Sequence, residues 1–121
     1  MKRFLVAIGL SVIVFASLAS GQTSGHYAVE DLLKIRRVGD PQVSPDGKQV
    51  VFTIGDVNFD ANRVVTQIYV MSIAGGDIKQ LTNGDRSATS PRWSGDGKRI
   101  AYVTGDQIWV MEPDGDKKGQ V

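Results

Sequence analysis

Two serines are each followed two residues later by an aspartate and then by Gly-Lys: Ser44 and Asp46 in "SPDGK", and Ser94 and Asp96 in "SGDGK". A serine beside a carboxylate suggests nucleophilic catalysis, but its hydroxyl needs a general base, most often a histidine. The chain has one histidine, His26, in the polar stretch "QTSGHY", and no G-x-S-x-G nucleophile elbow. His26 is therefore read as an exposed lead-in residue, and the two serines as turn residues. Pro45 presets φ for the first corner of a type I turn, Asp46 takes the second, and Gly47 supplies the positive φ from which a strand departs. Ser44 and Asp46 can both bond the turn's own amides.

Glu112, Asp114 and Asp116 in "EPDGDKKG" are spaced as in a calcium loop. An EF-hand needs an oxygen at the third ligand position, where Lys118 stands, and a closing Glu at position 12. Gly75 and Gly76 hold the equivalent place forty residues earlier, so the segment is read as a hairpin turn. Tyr69, Trp93, Tyr102 and Trp109 could stack on a carbohydrate, but they sit at recurring strand positions, which favours packing between blades. No catalytic, cofactor-binding or metal-ligating residue is assigned, and no cofactor is expected.

The elements that carry these residues form a repeat. Ser44–Asp56 aligns with Ser94–Asp106 at an offset of 50, with Ser, Asp, Gly, Lys, Gly and Asp identical. Beyond that point the offset is 40: Gln67, Ile68, Val70, Met71 and Gly75 recur as Gln107, Ile108, Val110, Met111 and Gly115. The difference is a ten-residue insertion, residues 57–66 ("VNFDANRVVT"), which lengthens one hairpin of the first copy. The second copy turns directly through Gly105 and Asp106. Strands are expected over Gln49–Ile54, Val64–Ile73, Ile78–Thr82, Arg99–Thr104 and Gln107–Glu112, separated by Gly, Asp, Asn and Pro. Four short strands repeating at about 40 residues are the mark of β-propeller blades. The fold class is accordingly all-β, with about two WD40-like or TolB-like blades: 42–89 for the first and 90–121 for an incomplete second.

Ahead of the blades, Lys2 and Arg3 precede sixteen uncharged, mostly apolar residues, Phe4 to Ala19, and then the small residues Ala19, Ser20 and Gly21. This is the layout of a signal peptide over 1–21, cleaved after Gly21, and it implies export to the periplasm or beyond. The apolar run is shorter than the roughly 20 residues of a membrane-spanning helix, so no stable span is expected. Residues 22–41 are read as a lead-in whose "AVEDLLKIRRV" forms a short amphipathic helix, with Glu30 and Asp31 early and Lys34, Arg36 and Arg37 late. The whole chain holds 14 Lys and Arg against 13 Asp and Glu. Losing Lys2 and Arg3 leaves 12 against 13, a balance that does not suggest nucleic acid. The chain has no cysteine, which excludes disulfides, thiolate metal sites and a lipidated cysteine.

The stretches "DLLKIRRVGDPQVSPDGKQVVF", "QIYVMSIAGGDIKQLTNG" and "SPRWSGDGKRIAYVTGDQIWVM" together resemble the start of the secreted prolyl oligopeptidase-like serine peptidases, in their acylaminoacyl-peptidase and dipeptidyl-peptidase branch. TolB-type periplasmic propellers use a similar repeat but carry a small α/β domain ahead of it, for which some twenty residues leave no room. Gly95 departs from the family pattern, which has Pro there. The resemblance implies an N-terminal propeller that restricts substrate access to a C-terminal α/β-hydrolase domain bearing a Ser-Asp-His triad. That domain and the peptide substrates of the parent protein are the implied partners. The triad matches nothing in this sequence, so the chain alone is expected to be inactive.

Overall fold

The computed structural model describes Asp31 and residues 34–121, which form two successive four-stranded antiparallel sheets. The first contains β1 (Arg37–Val43), β2 (Gln49–Asn58), β3 (Arg63–Ser72) and β4 (Lys79–Gln80), paired in chain order. The second repeats that order with β5 (Ala88–Trp93), β6 (Ile100–Thr104), β7 (Gln107–Met111) and β8 (Gly119–Gln120). Neighbours in sequence are neighbours in space throughout, as in a propeller blade wound outward from its first strand.

The repeat offsets hold at single hydrogen bonds. Leu81 N–H donates to the Ile68 carbonyl at 2.8 Å, and forty residues on Val121 N–H donates to Ile108 at 3.0 Å. The insertion also lies where the offsets put it. Pairing of β2 with β3 runs on through Val57↔Val64 and Asn58↔Arg63, whereas β6 and β7 close at Thr104↔Gln107. Gly105 and Asp106 have φ of 57° and 62°, the left-handed pair required by a two-residue turn that matches sheet twist.

Two strands differ from the sequence expectation. β1 occupies residues given to the lead-in and begins at Arg37 rather than 42; β5 begins at Ala88, inside the segment given to the first blade. Each contains a proline, Pro41 or Pro91, which reads as punctuation in sequence. Both strands lie at a sheet edge, and each register shifts next to its proline, between Gly39 and Gln42 and between Thr89 and Arg92. An edge strand with a bulge tolerates the missing N–H. The residue before each proline, Asp40 or Ser90, takes a left-handed φ of 46° or 54°, so the bulge itself repeats at the offset of 50.

The lead-in helix lies largely outside the described residues. Where they resume, Lys34 N–H bonds to the Asp31 carbonyl at 3.2 Å, and Arg37 is already in β1, so Arg36 and Arg37 do not close a helix. Arg36 instead forks onto Asp56, at 2.7 and 2.9 Å, and lies over the Tyr69 ring. The signal-peptide and cleavage-site expectations also fall outside the described residues. No helix among the described residues is long and apolar enough to cross a membrane.

The main core sits between the sheets. Val51, Ile68, Val70 and Leu81 from the first meet Ala88, Ile100, Tyr102 and Met111 from the second, all buried, with Trp93 and Trp109 packed against them. Period-2 alternation explains the selection: Val51 pairs with Val70, and Ile100 with Met111, so each pair points to one face. The opposite face of the first sheet buries Phe52, Ile54 and Tyr69, with the Phe52 and Tyr69 rings stacked at 6.2 Å.

Candidate functional site

The two Ser-x-Asp-Gly turns are the same structure built twice. Gly47 N–H bonds to the Ser44 carbonyl and Gly97 N–H to that of Ser94, both at 2.9 Å, closing each turn. The Ser44 hydroxyl donates to Asp46 Oδ1 at 2.6 Å and accepts from the Gln49 amide at 2.9 Å, while Asp46 Oδ1 also accepts from the Lys48 amide at 3.0 Å. Ser94 and Asp96 make the matching bonds to Arg99 and Lys98. Each serine proton is thus spent on an aspartate, with no histidine among the described residues to take it. His26 lies outside them.

This use of the serines sets an order of stabilities. A Cβ at Gly47 would meet nothing within 4 Å, but φ is +71°, so valine there carries the left-handed backbone cost alone, about 2 kcal/mol. Ser44→Ala removes two hydrogen bonds of a buried hydroxyl, but their partners Asp46 and the Gln49 amide belong to exposed and half-buried residues that water can reach, so the change is expected to cost about 1 kcal/mol. Urea unfolding of the two variants checks the order, and a more damaging Ser44→Ala would contradict the assignment.

The turns also predict a response to acid. Hydrogen bonds from the serine hydroxyl first, and then from the lysine amide, hold Asp46 and Asp96 below the usual carboxylate range. Asp56 is held down in the same way by the Arg36 fork. A carboxyl group whose pKa is lower folded than unfolded contributes stability that is present above its unfolded value, near 4, and lost as pH falls through the folded value. Thermal midpoints are therefore expected to fall below about pH 4, and Asp46→Asn with Asp96→Asn should flatten that part of the profile.

The first and second blades are latched along their inner edge. Arg92 Nη1 donates to both Asp40 carboxylate oxygens, at 3.0 and 2.9 Å, and Gln42 Nε2 donates to Asp40 Oδ1 at 3.1 Å. Trp93 Nε1 donates to the Gln42 carbonyl at 3.0 Å, so this indole is a packed inter-sheet donor rather than an open stacking platform. Tyr102 is buried in the same seam, and burial pushes its hydroxyl pKa up. Tyr69 belongs to the other face of the first sheet.

One polar assembly escapes sequence reading. Gln67 Nε2 donates to the carbonyls of Gly84 and Arg86, both at 3.0 Å, and its Oε1 accepts from the Thr82 hydroxyl at 2.7 Å. Thr82 Oγ1 in turn accepts the Ile68 amide at 2.9 Å. Gln67 and Thr82 are both buried, and they fix the segment that crosses from one sheet to the next. The recurrence of Gln67 as Gln107 carries no hint of this, because Gln107 is exposed.

The acidic segment at 112–116 is a turn. Gly115 N–H bonds to the Glu112 carbonyl at 2.9 Å, Asp114 Oδ1 accepts the Asp116 amide at 2.9 Å, and Glu112 pairs with Lys117 at 2.7 Å. No group of three or more potential metal ligands occurs among the described residues. At the opposite end the long hairpin tip carries Phe59, which is largely exposed, and Asn58 Oδ1 caps the tip by accepting the Ala61 amide at 3.0 Å. The arrangement can hold blades together and shape a rim; among the described residues it brings no histidine to either serine.

No protein-family model matches the chain. Dipeptidyl-peptidase 5 of Porphyromonas endodontalis is 39% identical over a 136-residue alignment that takes in 100% of this chain and 20% of the relative. Dipeptidyl-peptidase 5 of Porphyromonas gingivalis is 28% identical, with coverage of 87% and 16%. The acylaminoacyl peptidase of Pyrococcus horikoshii superposes with a TM-score of 0.61 at 26% identity, over 74% of this chain and 14% of that one. The chain spans about a fifth or less of each of these proteins.

Proposed function

We propose that this chain, which belongs to the β-propeller region of the prolyl oligopeptidase-like (S9) serine peptidases, supplies two blades of a substrate-gating propeller and leaves the chemistry to an α/β-hydrolase domain. The observation that carries this is the packing of two equivalent sheets, face to face, through one apolar seam and one inner-edge latch. Blades stacked in this way can close a ring whose narrow channel admits peptides and excludes folded proteins. Short peptides are accordingly the substrates of the whole protein in this reading. Its partner is the hydrolase domain, and nucleic acid has no part in it.

The reading also includes export. Lys2 and Arg3 followed by the apolar run to Ala19 support it, with a mature product beginning at Gln22. Terminal sequencing of the product from a membrane-enclosed compartment should return Gln22, and an intact Met1 in the cytoplasm would refute export.

Reading the coding frame past Val121 tests the peptidase assignment. Further Ser-x-Asp-Gly-Lys repeats followed by a G-x-S-x-G elbow are expected. A frame that closes after a few more blades with no elbow would overturn the assignment in favour of a binding propeller.

A further inference from the structure

The ten-residue insertion gives the first hairpin an overhang that the second lacks. β2 and β3 continue to Asn58 and Arg63, while the equivalent turn of the second sheet stops at Gly105 and Asp106. A cleft of about 400 Å³ opens beneath the overhang, bounded by Arg63 from the hairpin, Arg86 and Ser87 from the sheet-to-sheet crossing, and Thr89 and Thr104 from the second sheet.

Two guanidinium groups therefore border one cleft, and neither is paired with a carboxylate of the described residues. Arg86 is exposed, and it is its backbone that is held in place. Its carbonyl is held by Gln67 at 3.0 Å, and its Nη1 lies only 3.0 Å from where a Cβ on Gly105 would stand, so glycine at that corner makes the space it occupies. Ser87 Oγ accepts the Thr66 amide at 3.0 Å, which anchors the hydroxyl at the cleft wall. Asp85 and Asp106 also border the cleft and balance the two arginines. A site that is neutral overall does not concentrate polyanions, yet a planar fork still matches a single carboxylate.

We propose that this cleft binds a carboxylate group of a peptide, gripped by Arg63 and Arg86 with the cleft hydroxyls beside them. The carboxylate can come from an acidic side chain or from a free C-terminus. The cleft itself rests on the insertion and the short turn, while the choice of a peptide as the carrier of the carboxylate rests on the function proposed above.

The test uses the full polypeptide that carries this chain and fluorescently labelled tripeptides read by anisotropy. One probe has a Glu side chain and a capped amide end, one has a neutral side chain and a free carboxylate, and one is neutral and capped. At least one carboxylate probe should bind, the stronger one identifying the source, and the neutral capped probe should bind at least tenfold more weakly. Arg63→Gln and Arg86→Gln should each weaken the carboxylate probe by about tenfold, the loss of one charge-assisted contact. Unchanged thermal midpoints should show that both variants remain folded, and Arg86→Lys should recover only part of the binding because it keeps charge without the fork. Equal binding of all three probes, no binding of any, or full affinity in both glutamine variants would overturn the proposal.

Discussion

Ile68→Ala is expected to destabilise the fold by about 2–5 kcal/mol, the range for emptying a fully buried aliphatic site. Ile68 has no exposed surface and lies in the seam where Val51 and Val70 meet Ile100 and Met111 of the next sheet. Truncation removes contacts on both sides of that seam, and a close-packed interior can refill only part of the void. Its carbonyl also receives Leu81, so the strand cannot shift toward the cavity without disturbing that pairing. Ile78 offers the contrast: the same side chain, half exposed between β3 and β4, should tolerate alanine within about 0.5 kcal/mol. Urea titration of both variants checks the pair, and near-equal midpoints would show that the sheets do not share a core.

Gln67→Ala should cost about 3 kcal/mol by a different route. Its amide joins two carbonyls and one hydroxyl, and alanine leaves all three without that partner next to a buried threonine. Stranded buried polar groups cost about 1–3 kcal/mol each, offset in part when water reaches the opened site. Gln80→Ala removes one bond, from Gln80 Nε2 to the Thr82 carbonyl, at an exposed position and should cost less than about 1 kcal/mol. Hydrogen exchange separates this mechanism from simple loss of packing. In Gln67→Ala, protection should fall first at Ile68 and the 82–87 crossing, and a uniform fall across both sheets would contradict the local role.

The turn geometry was readable from the chain because its causes are local: Pro45 and Gly47 fix their own φ, and Ser44 reaches amides only a few residues away. The blade repeat was readable because period-2 patterning and turn spacing recur in register. β1 and β5 were not, since a proline in a short polar run looks like a break until the strand is known to be an edge. Arg36 was misplaced because a basic residue after Leu32 and Leu33 suits a helix end, while its actual acceptor, Asp56, lies twenty residues on. Gln67 and Arg86 were invisible as a pair for a related reason. Their bond exists only once the crossing segment folds back on β3, which no spacing rule encodes.

In the proposed function the chemistry lies outside this chain: Ser44 and Ser94 donate their protons to the aspartates of their own turns, and no histidine stands beside either serine among the described residues. Incubating the purified chain with aminoacyl- and dipeptidyl-nitroanilides tests that claim most directly. Release of nitroaniline no faster than the uncatalysed rate is predicted, and turnover that a serine-directed inhibitor abolishes would contradict it.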